Sequence, residues 1–170
     1  MRTPIGLALA FLAACTAAPP AAAPSSSTPP STLAAGEPCP VTRPGPFVAP
    51  AGVNPAGLFG SERAYGNSTL WVGGLGPGGV LDAGPELLEP DGAIGWKFGW
   101  WRIGTGELTI TGHRLDAPAA PLRGDALNQY YGRTGFTPSG VSFPTPGCWA
   151  VTGSIGSDPL TFVTLVRLSP

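Results

Sequence analysis

The residues able to do chemistry in this chain are few, and their spacing limits what that chemistry can be. His113 is the single histidine. With Asp116 or Asp125 and a serine it is the only base around which a Ser-His-Asp triad could form. Ser139 in "TPSGV" and Ser154 in "GSIGSD" both lack the G-x-S-x-G elbow that lifts a nucleophile clear of a sheet. Glu86, Glu89 and Asp91 crowd into "GPELLEPDG", where carboxylates could take calcium or act as a glycosidase pair. A turn of this composition is ordinarily a solvated loop, so no metal is assigned. The run "GGLGPGG" at 73 to 79 has the glycine content of a phosphate loop, but a phosphate loop opens a helix. Here Pro77 and a second β-like run follow. No catalytic residue and no cofactor is assigned, and the chain is expected not to be an enzyme.

The remaining chemistry is aromatic. "IGWKFGWWRIG", residues 94 to 104, holds three of the five tryptophans. In a strand, alternation places Trp96, Phe98 and Trp100 on one face and Lys97, Gly99 and Trp101 on the other. The triple aromatic face is expected to be core, because each buried aromatic contributes on the order of 2 to 3 kcal/mol. Trp101 is left for solvent or a ligand. Together with Tyr130, Tyr131 and Arg133 it forms the candidate ligand-binding set, since aromatic faces bury area at low entropic cost. The partner expected is an envelope protein, a peptide or a glycan. Nucleic acid is excluded by electrostatics: nine Lys and Arg stand against ten Asp and Glu, a formal net charge of -1, with no basic cluster to replace counterions on phosphate.

The elements that must hold these residues follow from composition. Twenty-six glycines and 22 prolines argue against long helices. Beyond the leader no segment sustains apolar residues at helical spacing. "TLWVGG" (69 to 74) and "GVLDA" (79 to 83) flank "LGPG" as a hairpin would. "ELTITGHRL" alternates Leu108 and Ile110 with Glu107, Thr109 and Thr111, the pattern of a half-buried strand. "GCWAVTGSI" and "LTFVTLVRL" form a last hairpin across "GSDP", with Trp149, Val151, Ile155, Leu160, Phe162, Val166 and Leu168 toward one core. Segments 43 to 66 and 116 to 140 read as loops. The fold expected is all-β, an immunoglobulin-like β-sandwich of about six to eight short strands, with a small β-barrel as the alternative.

The N-terminus supplies the address. "MRTP" carries a positive charge at Arg2 and "IGLALAFLAAC" follows, too short to span a bilayer at roughly 20 residues. Leu12-Ala13-Ala14-Cys15 resembles the bacterial lipobox, which implies a signal peptide over 1–14, lipidation at Cys15 and anchoring in a cell or outer membrane. Ordinary secretion with cleavage near residues 21 to 23 is the alternative. Residues 15–36, rich in Ala, Pro, Ser and Thr, read as a disordered tether, and 37–170 as a single domain. Lipid on Cys15 leaves Cys39 and Cys148, expected to form a disulfide in an oxidising compartment. Two free thiols or a metal pair are the other possibilities, the latter poor because the lone histidine is distant.

"YYGRTGFTPSGVSFPTPGCWAVTGSIGSDPLTFVTLVRL", with "AYGNSTLWVGGLGPGGV" and "GWKFGWWR", resembles a family of uncharacterised bacterial envelope lipoproteins over roughly residues 60 to 168. Their pattern runs G-x-T-G-F-x-P-S-G, then F-P-x-x-G-C-W-E-V-T-G. Ala150 stands where the family usually has Glu. The resemblance implies an envelope address and no particular activity. Two functions remain: a non-catalytic binding module, or a purely structural lipoprotein, with a hydrolase as the outsider.

Overall fold

A computed structural model of the chain describes residues 32–47 and 63–170. Cys15, the leader and the tether up to residue 31 lie outside the described residues. Ten strands follow in order: β1 (Gly45–Pro46), β2 (Arg63–Gly66), β3 (Leu70–Gly73), β4 (Val80–Ala83), β5 (Ile94–Arg102), β6 (Leu108–Arg114), β7 (Arg123–Ala126), β8 (Gly135–Phe143), β9 (Gly147–Ile155) and β10 (Asp158–Leu168). They form a six-stranded sheet, β1-β2-β3-β5-β8-β7, packed on a four-stranded sheet, β4-β10-β9-β6. This is a β-sandwich, not a closed barrel.

Strands beyond the expected six to eight are short ones, such as "GP", "RAYG" and "RGDA", that carry no apolar alternation. All three, and most of β8, fall in the segments 43–66 and 116–140 expected to be loops. Pro138 obscures β8, yet its carbonyl accepts from Leu127 N at 3.2 Å. Its nitrogen therefore points the same way, toward Leu127, and with no N–H to return that bond the β7 ladder ends at the pair before, Ala126 and Ser139.

The expected 69–83 hairpin does not form. β3 pairs with β2 and β5 in one sheet, whereas β4 crosses to the other and runs parallel to β10. The glycine run makes that crossing possible. A Cβ at Gly76 would collide with Val80 O, and one at Gly79 (φ +83°) with Thr42 O.

The core lies between the sheets. Phe98, Trp100 and Phe162 meet edge-on or tilted, with ring centroids 5.4 to 6.3 Å apart, and Phe143 packs on Trp149 at 5.6 Å. Trp100 reaches so far across that a Cβ at Gly153 of β9 would collide with its ring. Trp96 takes the expected face but is only half-buried, its Nε1 donating to Gly74 O at 2.9 Å. In the β9–β10 hairpin Leu160, Phe162 and Val166 are buried as expected, but Leu168 is exposed. The last β9 pairing is Gly147 with Val166, so Leu168 runs beyond the neighbour that would cover it.

Cys39 and Cys148 form a disulfide, Cα to Cα 5.6 Å, across a sequence separation of 109 residues. It docks the N-terminal segment on the outer face of the four-stranded sheet, with backbone bonds Leu33 N to Leu115 O and Thr42 N to Val163 O. Among the described residues, packing thus reaches back to Leu33, inside the expected tether. Leu33 is the large apolar side chain of that stretch and it finds Leu115, Cys148, Ala150 and Val163.

Candidate functional site

The outer face of the six-stranded sheet holds the candidate residues. β3, β5 and β8 are neighbours, and their register places Trp71 opposite Trp101 and Trp101 opposite Phe136. Three aromatic side chains from three strands therefore stand in one row, each half-buried. Tyr131 extends it, edge-on to Phe136 at 5.9 Å, and Phe47 packs edge-on to Trp71 at 5.1 Å. Glycine shapes the row: the Trp71 indole occupies the space a Cβ on Gly66 would need, and the Trp101 ring lies beside Gly135. Each indole thus rests against bare backbone.

Of the four candidate binding residues, Trp101 and Tyr131 belong to this row through Phe136. Tyr130 and Arg133 lie exposed on the same 127–135 loop without a described contact to Trp101. Trp71 and Phe136 were not singled out from the sequence, because register joins them to Trp101 and register is not written in any one strand.

The loop is held from beneath by Arg102, the last residue of β5 and 1% exposed. Its guanidinium donates to Gly135 O, Gly106 O, Asn128 Oδ1, Tyr131 O and Thr134 O, at 3.0 to 3.5 Å. Burial pushes its pKa down, but an arginine stays charged in proteins. The charge is met by oxygens of the loop it organises, and Asn128 also brackets Leu108, accepting from its N and donating to its O, both at 2.9 Å. Alternation alone puts Arg102 on the core face, yet nothing local marks it as an anchor.

The triad residues are not brought together. His113 is exposed on β6, paired with Ala150 in the four-stranded sheet. Ser139 is buried between the sheets, accepting from Trp100 Nε1 at 3.0 Å. Asp116 is bound by Arg114 at 2.6 Å, Asp125 lies on β7 of the other sheet, and Ser154 pairs with Thr109 and Pro159. The acidic turn has a cation already: Arg123 reaches Glu89 at 2.8 Å and Asp91 at 2.9 Å, and Ser142 Oγ donates to Glu89 at 2.5 Å. Asp91, held by the Ala93 amide first and by Arg123, keeps its carboxyl below the usual range.

These bonds fix one wall of a cleft of about 960 Å³ on the same sheet face. Its floor includes Gly95, Lys97, Gly140 and Ser142, its wall residues 86–90, and its far rim Arg123 and Asp125. Four residues along β5 separate Lys97 from Trp101, about 13 Å.

Comparison with known proteins finds no family model and no curated sequence that matches the chain. The disulfide accords with an exported protein. Among the described residues no helix is long and apolar enough to cross a membrane.

Proposed function

We propose that this chain is an exported envelope lipoprotein, anchored through lipid on Cys15, whose sandwich is a non-catalytic binding module. It holds a peptide or glycan of the envelope against the outer face of its six-stranded sheet. The observation that carries this reading is the row Trp71, Trp101, Phe136 in direct cross-strand register and half-exposed. Flat rings backed by glycine bury ligand area while losing little entropy of their own. Arg102 adds preorganisation, since the loop bearing Tyr131 is fixed before a ligand arrives.

The reading is tested by titrating tryptophan fluorescence of the full chain with soluble cell-wall glycan fragments and with envelope peptides. Binding that disappears in Trp101→Ala and weakens in Tyr131→Ala supports it. A purely structural role is the better account if no ligand changes the fluorescence and Trp101→Ala still restores the envelope of a deletion strain.

A further inference from the structure

We propose that the cleft between residues 86–90 and strand β7 binds a short zwitterionic peptide, its free carboxylate on Lys97 and its free ammonium on Asp125. The register carries the argument. Lys97 lies opposite Gly140, and Gly140 opposite Asp125, so the two charges occupy one rung of the sheet with a glycine between them. A Cβ built on Gly140 would meet no atom within 4 Å, so the gap between the charges is open. Two strand spacings set their Cα atoms about 10 Å apart.

Among the described residues neither charge is used elsewhere. The ion pairs at this cleft join Arg123 to Glu89 and Asp91, leaving Lys97 and Asp125 without a partner among the described residues. The Arg123 pairs and the Ser142 bond hold the wall in place, so the unpaired cation and carboxylate face a preformed space. The charge pattern selects the ligand. An anion alone would meet Asp125, Glu86 and Glu89, and a cation alone would meet Lys97 and Arg123. A molecule carrying one charge of each sign at opposite ends satisfies both. An extended di- or tripeptide spans roughly 7 to 10 Å, which fits the rung, and Leu88, 43% exposed on the wall, offers an apolar contact to its middle.

This site is distinct from the aromatic row and its test separates the two. The full chain, labelled with nitrogen-15, is titrated with the tripeptide Ala-Leu-Ala bearing free ends, and with its N-acetylated, C-amidated form. The free peptide is expected to shift the amides of Gly95, Lys97 and Gly140 with millimolar affinity. Capping both ends, or the variants Lys97→Gln and Asp125→Asn, should each weaken binding about tenfold, while Trp101→Ala leaves it unchanged. Thermal melts confirm that these surface variants are folded. Equal binding of the capped peptide, shifts confined to the Trp101 row, or no shift at about 10 mM peptide would each overturn the assignment.

Discussion

On the outer face of the four-stranded sheet, Leu115, Cys148, Ala150 and Val163 lie beneath Leu33 and Cys39, and a disulfide locks the cover in place. On the outer face of the six-stranded sheet, Trp71, Trp101 and Phe136 stand half-exposed, and Lys97 and Asp125 flank an empty rung. Both faces belong to one sandwich and share one core. The first uses small and aliphatic side chains sized to a covering segment. The second has large rings laid on glycine and charges without partners among the described residues, which is stability forgone in favour of a surface. The difference teaches that burial of an outer face, more than its hydrophobicity, marks which side of a sandwich is structural.

The comparison breaks most visibly at the covered face. Replacing Cys39 and Cys148 together by Ala should cost about 4 to 5 kcal/mol on the chain-entropy model, read as a fall in the denaturation midpoint. A change within error would show that the cover holds without its staple. Next comes the shared interior: Trp100→Ala is expected to cost about 3 to 5 kcal/mol, because its ring spans both sheets and its Nε1 serves Ser139. Arg102→Met, which strips donors from loop carbonyls, should cost about 2 to 3 kcal/mol. It should also speed amide exchange in 127–135 while leaving β9 and β10 protected. Uniform exchange across the domain would show that Arg102 does not act on the loop.

Smaller effects sharpen the contrast. Arg114 binds Asp116 beside the disulfide, and that hydrogen bond holds the carboxyl below its ordinary value of 3.8. A depressed carboxylate adds stability above its unfolded pKa and loses it as pH falls through the folded one. Asp116→Asn should therefore be less stable than the parent at neutral pH and equal to it in strong acid, by urea denaturation at both. A gap persisting in acid would assign the loss to something other than charge. Smallest in stability is Trp101→Ala on the uncovered face, expected within about 1 kcal/mol, since one side of the ring is already solvated. An unfolded Trp101→Ala protein would make the aromatic row structural. Cys15→Ser should leave the melt untouched and move the protein out of the membrane fraction; retention there would dismiss the lipid anchor.

Alternation made much of this legible. It assigned Phe98 and Trp100 to the core and Trp101 to the other face, it set Leu108 and Ile110 inward, and cysteine parity paired Cys39 with Cys148. These are local properties, fixed by the two-residue period of a strand and by the chemistry of thiols in an oxidising compartment. Tertiary structure decided the rest. Whether β3 turns back on β4 or leaves it for another sheet depends on where β10 lies, its residues pairing with β4 across 85 positions of the chain. The row of Trp71, Trp101 and Phe136, the rung of Lys97, Gly140 and Asp125, and the loop gathered on Arg102 all arise from register between distant strands. No single strand encodes it, because a slip of one residue would exchange every inward side chain for an outward one, and only the packed core excludes that slip.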